Sequence, residues 1–481
     1  MFLLVVAALL AIVAYYKWMS PKKKDYEVLS QFFLDKDWSL NEEAGDLDQV
    51  IRRFEIKIPT EEIEILQDKL KSVRWPEPSL KTSEFRYGVR DDYMKELVGY
   101  WKNEYSWKKQ EDWMNSFDHF KTKIEGLNIH YIHAKPKMIR KGVEPHVILM
   151  THGWPGSVVE FMDILPMLTD PANYEGNEVD TFTVICPSIP GYGFSDAPQK
   201  EGFNAFHCAR VFHKLMLRLG YKKYYLQGGD WGSYISTAIA MLYPSNIKGI
   251  HTTLNTSQPR GINFLKLIVG AYFPSLFFYP DEAAILFPLK KAFIELLQET
   301  GYMHLQATKP DTVGFALSDS PVGLAAYIVE KFSSWTDIKG RNHNDGLLSK
   351  YWNKDKLLNN VMIYWWNNNI TSSMRFYKEN LGPSALRDAN PIVVRVPAAF
   401  AHFPNEFIGT SKLAVQQKFS RLLQYTLMKR GGHFSAYEVP ADLTSDIRLF
   451  IRTVQRLERE ERAAEIEARD VGVSQLDRME K

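Results

Sequence analysis

The sequence predicts an α/β fold, with a parallel sheet and an inserted helical cap, on the strength of three features. Residues 147–150 and 182–186 are short continuous apolar runs, which are typical of buried parallel strands. Stretches of helical period separate these runs, as βαβ units require. After Asn255 the strand pattern stops, and it resumes only at residues 392–396 and 422–428. The intervening chain is aromatic-rich and mostly helical in period, which indicates a cap inserted into the sheet.

The same changes in pattern divide the chain into parts. Thr60 followed by Glu61 and Glu62 looks like a helix start, and it begins a mostly helical stretch before the first strands. We see no internal repeat. In chain order, we predict a transmembrane anchor at 1–20, a linker at 21–48, an N-terminal helical arm at 49–119, a first part of the core at 120–255, a cap domain at 256–390, a second part of the core at 391–452 and a charged C-terminal tail at 453–481.

Composition narrows the classes of protein and partner. The chain has 481 residues, 45% of them hydrophobic, which is enough for a large buried core. Its 59 basic and 57 acidic side chains nearly balance, so nothing in the charge favours nucleic acid as a partner. The only cysteines are Cys186 and Cys208, a scarcity that favours a reducing compartment. We interpret both as small buried hydrophobic residues.

The N-terminus has the pattern of a membrane anchor. Residues 1–16 carry no charge, and Lys17 and the lysines at 22–24 follow them. A span through residue 19 is long enough if Lys17 extends its ammonium to the headgroups. No basic segment precedes the apolar run and no clear cleavage site follows it, so an uncleaved anchor is favoured over a signal peptide. Because the lysines follow the span, the folded part is expected on the cytosolic side.

A nucleophile is predicted at Asp230. The stretch Gly228-Gly229-Asp230-Trp231-Gly232-Ser233 lies between a strand at 224–226 and a helix at 234–240. This is the nucleophile elbow of α/β-hydrolases with aspartate in place of serine. The glycines permit a strained turn that leaves the central side chain exposed at the edge of the sheet. The alternative is a structural aspartate that caps the following helix.

Aspartate at this position selects the chemistry. A carboxyl group with a reference pKa near 3.9 is already ionised at neutral pH, so it can attack without first losing a proton. Attack on a carboxylic ester would give only an anhydride, whereas attack on an activated sp3 carbon gives an ester that water can hydrolyse. Epoxides and alkyl halides are therefore the expected substrates.

An oxyanion loop is predicted directly after the strand at 147–150. His152-Gly153-Trp154-Pro155-Gly156-Ser157 stands where α/β-hydrolases place that loop. In that geometry the backbone N–H groups of Trp154 and Trp231 would point at the carboxylate of Asp230 and stabilise the tetrahedral anion. For His152 we prefer a packing and hydrogen-bonding role to an acid–base role.

The two partners of the nucleophile come later in the chain. His433, preceded by two glycines and near the end of the fold, is the expected base. The order in α/β-hydrolases is nucleophile, acid, histidine, which makes Glu406 the candidate that would hold the histidine tautomer. Local sequence alone leaves a merely solvated loop glutamate equally open at 406. Asp442 and Asp446 follow the histidine and fit the order less well.

These motifs together resemble one family. The stretches at 228–233, 152–157 and 431–434, with residues 187–195 and 120–127, are similar to microsomal epoxide hydrolase and its juvenile-hormone relatives, from the anchor to about Arg452. The resemblance implies an α/β-hydrolase core, no metal or cofactor, and a location at the endoplasmic reticulum membrane. It assigns Glu406, in Phe-Pro-x-Glu, as the acid. It also assigns Tyr302 and Tyr377 of the cap as proton donors to the epoxide oxygen, a role that a neutral phenol can fill.

The expected activity is hydrolysis of lipophilic epoxides to diols, because an aromatic cap and a membrane anchor both favour substrates that partition into lipid. Detoxification of foreign epoxides and turnover of lipid or terpenoid epoxides are both open, as is the oligomeric state. One alternative is a haloalkane dehalogenase, although it would need halide-binding donors in place of the tyrosine pair. The other is a membrane-anchored ligand-binding module without catalysis, which would be free to lose a member of the triad that this chain keeps.

Overall fold

A mixed sheet forms the centre of the molecule. The computed structural model describes residues 25–40, 49–257, 259–382 and 389–479, and its sheet has the strand order β1-β2-β3-β5-β4-β6-β7-β8-β9. Strands β1, β2, β3 and β5 pair antiparallel, and all pairs from β5 onward are parallel. The strands are β1 (Arg52–Phe54), β2 (His119–Ile124), β3 (Leu127–Ala134), β4 (His146–Thr151), β5 (Phe182–Pro187), β6 (Tyr224–Gly228), β7 (Ile247–Thr252), β8 (Val394–His402) and β9 (Phe419–Leu427).

Residues 120–131, in which apolar and polar side chains alternate as they do in a strand, belong to a hairpin formed by β2 and β3. The turn between them is Glu125-Gly126, with φ of 48° and 82°. Two successive positive φ angles are typical of the tight turns that join antiparallel strands. Strand β7 carried too weak a pattern to be singled out from the sequence, and β1 lies within the stretch that we predicted as a helical arm.

The described helices fall into three groups along the chain. Those before and between the core strands are α1 (Asp25–Ser30), α2 (Thr60–Lys71), α3 (Asp91–Asn103), α4 (Trp107–Met114), α5 (Ile164–Thr169), α6 (Ala205–Arg218) and α7 (Asp230–Leu242). Between β7 and β8 lie α8 (Ile262–Gly270), α9 (Pro280–Leu286), α10 (Leu289–Glu299), α11 (Gly301–Thr308), α12 (Pro310–Asp319), α13 (Pro321–Ser334), α14 (Leu348–Tyr351), α15 (Lys354–Trp366) and α16 (Ile370–Leu381). The last three are α17 (Lys412–Lys418), α18 (Ser435–Glu438) and α19 (Pro440–Met479).

The predicted arm and cap pack against each other. Helix α15 of the cap receives a hydrogen bond from the arm, in which the Tyr105 hydroxyl donates to Asn359 Oδ1 at 2.8 Å. Tyr100 makes a similar bond to Asp355 Oδ1, also at 2.8 Å. The arm is thus fastened to the cap as well as to the core.

The predicted linker at 21–48 is wrong for the part that the structure describes. Within 25–40, Val28, Phe32 and Trp38 are buried. The Trp38 indole N–H donates to Glu125 Oε2 at 3.0 Å, and the same carboxylate receives two hydrogen bonds from Arg210. A polar stretch without periodicity gave no signal of this docking, because only a few apolar side chains carry it.

The C-terminal tail is the continuation of a core helix. We predicted a separate tail at 453–481, but α19 begins at Pro440 and runs unbroken to Met479. Its first turns bury Ile447, Phe450 and Ile451 against the core, and Val454 beyond the predicted boundary is buried too. Charge becomes dominant only after the buried stripe has ended.

The predicted anchor at 1–20 lies outside the described residues. Within the described ranges, no single helix is both long and apolar enough to cross a membrane. One pair, α12 with α13, reaches the required length and composition only when the two are taken together across a bend of 117°.

Candidate active site

The elbow holds Asp230 in a strained backbone conformation. Strand β6 ends at Gly228, α7 begins at Asp230, and Asp230 has φ of 46°. A non-glycine residue in this left-handed region is uncommon and persists only where the surrounding structure enforces it. Here the enforcement is close packing, because a Cβ at Gly232 would lie 1.8 Å from the carbonyl oxygen of Thr151. The Asp230 carboxylate is thereby presented beyond the end of the sheet.

The oxyanion loop contacts this carboxylate directly. The backbone N–H of Trp154 donates to Asp230 Oδ1 at 2.8 Å. The approach leaves no room for a side chain at Gly153, where a Cβ would lie 2.3 Å from Oδ1. Among the described residues, the N–H of Trp231 makes no hydrogen bond to Asp230, so its predicted part in the oxyanion hole stays a prediction.

His433 connects Asp230 to Glu406. Its Nδ1 lies 2.9 Å from Glu406 Oε2 and 3.1 Å from Oε1, and its Nε2 lies 3.4 Å from Asp230 Oδ2. Asp230 is the first residue of α7 after β6, and Glu406 and His433 stand on turns that follow β8 and β9. The backbone N–H of His433 also donates to the carbonyl of Trp335 in the cap segment, at 3.0 Å. The structure therefore brings together the three residues that sequence order suggested.

The surroundings of His433 favour its charged form. Burial lowers the pKa of His433, but the charge of Glu406 and hydrogen bonds with Asp230 and Glu406 outweigh it and raise the pKa to about 10. The resting site is therefore an imidazolium held between two carboxylates at neutral pH.

Tyr302 and Tyr377 face the oxyanion loop from the cap. The ring of Tyr302 stacks on Trp154 at 5.0 Å between centroids, and the ring of Tyr377 lies edge-on to Trp231 at 4.8 Å. The two tyrosine rings are 5.7 Å apart. Burial raises the pKa of Tyr302 well above its usual value, and the charge of Asp230 adds to the effect. Burial likewise raises the pKa of Tyr377, with Tyr302 and Asp230 adding to it, so both phenols stay protonated.

The Tyr377 hydroxyl has no hydrogen-bond partner among the described residues, although it is buried. A buried polar group without a partner costs free energy, and such groups occur where a ligand or water completes the bonding. Tyr377 is carried on α16 and Tyr302 on α11, two cap helices that contact each other. The two hydroxyl groups are thus positioned on the cap side of the Asp230 carboxylate.

Glu160 is a site residue that the sequence analysis missed. It lines a small cavity beside the carboxylate, together with Asp230, His433 and Gln227. Burial raises the pKa of Glu160 to about 8. Its position in the sequence could have indicated this role, because Glu160 follows the oxyanion loop by three residues. It lies on a short helical turn, Val158–Phe161.

The other residues that the sequence analysis named have structural contacts away from the reacting groups. His152 is buried, accepts a hydrogen bond on Nε2 from the Ile189 N–H at 3.1 Å, and burial lowers its pKa to about 4, consistent with a packing role. Asp446 pairs with His251 at 2.9 Å and Asp442 with Arg430 at 2.6 Å, so neither faces His433. Cys186 and Cys208 are buried free thiols, as predicted.

The arrangement supplies a charged nucleophile, an N–H donor for an oxyanion, a histidine oriented by a carboxylate, and two buried phenols. Within the described ranges, no cluster of three or more His, Cys, Asp or Glu side chains could hold a metal ion. The fold defines an α/β-hydrolase, and the site places an aspartate at the elbow where that class carries its nucleophile.

Comparisons with known proteins place the chain more narrowly. Residues 51–161 match the family model described as the epoxide hydrolase N terminus, and residues 146–382 match that of the alpha/beta hydrolase fold. The chain is 47% identical over 416 residues to epoxide hydrolase 1 of Sus scrofa, covering 86% of this chain and 91% of that one. It is 45% identical to juvenile hormone epoxide hydrolase 1 of Ctenocephalides felis, covering 84% and 86%.

A solved structure agrees with these relatives. The crystal structure of juvenile hormone epoxide hydrolase from the silkworm Bombyx mori superimposes with a TM-score of 0.84 at 40% identity, covering 88% of this chain and 99% of that one. The chain therefore belongs to the epoxide hydrolase family.

Proposed function

We propose that this protein hydrolyses lipophilic epoxides to vicinal diols through a covalent ester on Asp230. The observation that carries the proposal is the position of the Asp230 carboxylate, which is held by the Trp154 N–H and His433 on one side and faces Tyr302 and Tyr377 of the cap on the other. A carboxylate nucleophile opposed by two proton donors matches the needs of epoxide opening.

In the first step, a carboxylate oxygen of Asp230 attacks an epoxide carbon and the carbon–oxygen bond of the ring breaks. The leaving oxygen takes a proton from Tyr302 or Tyr377, which becomes a phenolate. Hydrogen bonds from two phenols stabilise the charge that develops on that oxygen. The product is a hydroxyalkyl ester of Asp230.

Ester formation also prepares the base. The charge of Asp230 is one of the causes that raise the pKa of His433, and the ester removes it. His433 can then give its proton to the phenolate, which restores the neutral tyrosine and leaves a neutral imidazole. Glu406 keeps the ring oriented through Nδ1.

In the second step, neutral His433 removes a proton from water, and the resulting hydroxide attacks the ester carbon of Asp230. The Trp154 N–H, already bonded to Oδ1, is placed to stabilise the tetrahedral anion. As that intermediate collapses, the alkoxide of the diol leaves with the proton from His433. The carboxylic acid left on Asp230 passes its proton back to His433, which restores the resting ion pair.

Aromatic rings support the lipophilic class of substrate. Trp154, Trp231 and Trp335 surround the tyrosine pair, with Trp335 and Tyr302 at 5.1 Å between ring centroids. Foreign epoxides and lipid or terpenoid epoxides both fit such a lining.

Residues 1–20 are proposed to anchor the protein in the endoplasmic reticulum membrane with the folded part in the cytosol. Their uncharged composition and the lysines at 17 and 22–24 support the proposal. We expect the full chain to float with microsomes after carbonate washing. We also expect protease added outside sealed microsomes to digest the folded part. Release by carbonate, or protection from the protease, would contradict the anchor or its orientation respectively.

The test of the activity is diol formation from a panel of lipophilic epoxides, by the full chain and by Asp230→Ala. A haloalkane and an activated carboxylic ester run beside the panel. We expect diol formation that the substitution abolishes, with neither rival substrate turned over. Haloalkane turnover without diol formation would favour a dehalogenase. Failure of folded protein to open any epoxide would favour a binding module.

A further inference from the structure

The cap carries an exposed apolar surface that the reaction does not use. It is formed by side chains on α8 and on the segment that follows it, and we call it the cap apolar face: Leu265, Ile268, Tyr272, Phe273 and Leu276. Tyr272, Phe273 and Leu276 are 79%, 62% and 63% exposed. Clustered apolar side chains of this size on a soluble surface mark a contact with lipid or with another protein.

The surface is one-sided. On α8, Leu265 and Ile268 are three residues apart, which places them on one side of the helix, and Tyr272 follows two residues after the helix ends. The inner side of the same region is fastened to the core. Glu282 accepts a hydrogen bond from the Lys412 N–H at 2.6 Å, and the Arg260 N–H donates to Gln417 Oε1 at 2.9 Å. The exposed side chains therefore belong to an ordered outer face, and the inner face is already satisfied.

The N-terminus of the described chain lies beside this face. The ammonium of Lys418 is buried and donates to the Ile392 carbonyl at 2.9 Å. Burial lowers the pKa of Lys418, and the next two influences on it are the charges of Arg260, which lowers it, and Asp25, which raises it. Asp25 and Arg260 thus lie around one ammonium group. Arg260 is two residues before α8, and Asp25 directly follows the lysines at 22–24.

This placement identifies the occupant. A segment of 16 uncharged residues precedes these lysines in the sequence, and the first described residue, Asp25, lies near the start of α8. A bilayer that takes up the segment lies within reach of the cap apolar face as well. An amphipathic surface in that position buries its apolar side chains at the boundary between headgroups and acyl chains.

We propose that the cap apolar face rests on the bilayer beside the N-terminal anchor, so that the cap receives epoxides directly from the lipid. The proposal depends on the membrane attachment proposed above. The cap apolar face and Tyr302 belong to the same inserted segment, between β7 and β8, so substrate dissolved in the lipid would meet the cap first.

The test uses single cysteine probes on the full chain in phospholipid vesicles. Cys186 and Cys208 are buried, so an introduced surface cysteine is the group that a fluorescent reagent labels. Tyr272→Cys and Leu276→Cys report on the face. Tyr87→Cys and Met138→Cys, at positions 81% and 89% exposed, are the matched controls. We expect nitroxide-labelled lipids to quench the two face probes and leave the controls unquenched.

Other outcomes overturn the proposal in distinguishable ways. A protein that does not float with vesicles overturns the anchor and the docking together. If the protein floats with vesicles but the labelled lipids quench all four probes equally, the docking is wrong and the anchor is retained. If the protein sediments as a dimer, and the face probes are shielded from water but not quenched by the labelled lipids, the face contacts a second copy of the chain.

A functional measurement separates docking from simple adhesion. The double variant Phe273→Ser/Leu276→Ser removes two exposed side chains, so folding should be unaffected. We expect the KM for a vesicle-dissolved epoxide to rise roughly tenfold, because two apolar side chains no longer insert into the lipid. The KM for a water-soluble epoxide should be unchanged. An equal change for both substrates, or none for either, overturns the proposed lipid path.

A second, independent observation concerns the cavity next to Asp230. It offers about 20 Å³ to the centre of a water molecule, enough to hold one. Gln227 Oε1 is buried there and has no hydrogen-bond partner among the described residues. Within the same ranges, no hydrogen bond or ion pair engages the carboxyl group of Glu160. Its Oε2 would lie 2.3 Å from a Cβ at Gly156, so the carboxyl group fills the space beside the oxyanion loop.

We infer that Glu160 and Gln227 hold the water that hydrolyses the ester. That water gives one hydrogen to His433 Nε2 and the other to an oxygen of Gln227 or Glu160. A lone pair is then directed at the carboxyl carbon of Asp230. The O–H bond of the water that points at His433 breaks and its proton moves to Nε2, while the water oxygen forms a bond to the carboxyl carbon of Asp230. Glu160 acts here as a positioning residue, because it touches the water and not the epoxide.

Rapid-quench kinetics on Glu160→Leu and Glu160→Gln test this role by separating ester formation from ester hydrolysis. We expect Glu160→Leu to slow hydrolysis by about 10²-fold, the scale of a lost positioning contact in proton transfer, with ester formation unchanged. Glu160→Gln keeps the shape and a hydrogen-bonding end, so it should retain most of the hydrolysis rate. If both steps slow together, or if hydrolysis is unaffected by Glu160→Leu, the inference is wrong.

Discussion

The Nε2 atom of His433 lies 3.4 Å from Oδ2 of Asp230, so the proposed base and the proposed nucleophile form an ion pair before substrate arrives. Because of this pair, the protonation of His433 depends on whether Asp230 is free or esterified. While Asp230 is charged, His433 is held protonated. Once Asp230 is esterified, that support is lost and His433 becomes available as a base.

Removing the Asp230 charge should therefore lower the pKa of His433. In Asp230→Asn we expect the imidazole to titrate below the value of about 10 that the intact site sustains. NMR titration of the His433 ring measures this. Asp442→Asn, which removes a carboxylate paired with Arg430, is the control and should leave the His433 pKa in place. An unchanged pKa in Asp230→Asn would show that the two residues are not coupled.

The same coupling gives ester hydrolysis a pH dependence. Hydrolysis needs neutral His433, so its rate should rise with pH to a plateau, with a midpoint below about 10 because the ester lacks the Asp230 charge. Ester formation needs only ionised Asp230 and protonated tyrosine, so it should stay flat across neutral pH. Single-turnover rates of the two steps at several pH values measure this. A hydrolysis rate that falls with rising pH would contradict the role of His433.

Replacing the base should trap the intermediate. In His433→Gln we expect Asp230 to be alkylated while water attack slows by about 10²- to 10⁴-fold. Mass spectrometry of the intact protein should show the added mass of the epoxide, and peptide mapping should place it on Asp230. Asp230→Ala, which has no nucleophile, is the control and should gain no mass. An adduct on another residue would refute the proposed ester.

The cap tyrosines should act on ring opening. Tyr302→Phe and Tyr377→Phe are each expected to slow ester formation by about 10²- to 10³-fold, since each removes a donor to the developing oxyanion. Tyr327→Phe is the matched control, because its ring also contacts Trp154 but its hydroxyl bonds Gln306. Stopped-flow fluorescence of the nearby tryptophans reports the step. Equal losses in all three variants would indicate a packing role for the tyrosines.

Trp38 should prove essential for stability. Its side chain is fully buried and bonded to Glu125, so Trp38→Ala should lower the free energy of unfolding by about 3–5 kcal/mol. Leu40→Ala, at an exposed position in the same segment, should change little. Urea unfolding followed by circular dichroism measures both. Equal stability of the two variants would restore the view of this segment as a linker.

Motif and order in the sequence were sufficient to single out Asp230 and His433, and they made Glu406 a candidate that the family resemblance then favoured over a solvated loop glutamate. Asp230, Glu406 and His433 each follow a strand of a parallel sheet, and strands of such a sheet bring their carboxyl ends to one edge. The structure places these three as the order predicted. Tyr302 and Tyr377 are 75 residues apart on helices without any distinguishing local pattern. Only the family resemblance singled them out from other cap aromatics.

The sequence by itself determined the α/β core, the helical insertion and the aspartate at the elbow, because local periodicity and glycine spacing report directly on strands, helices and the elbow. Tertiary structure alone decided the docking of residues 25–40, the unbroken helix α19, the place of Glu160 beside Asp230 and the exposed face of the cap. Each depends on which surfaces meet after folding. Trp38 packs against Glu125, which is far away in the chain, and Glu160 packs against Gly156 across a tight turn. Periodicity in the sequence encodes neither contact.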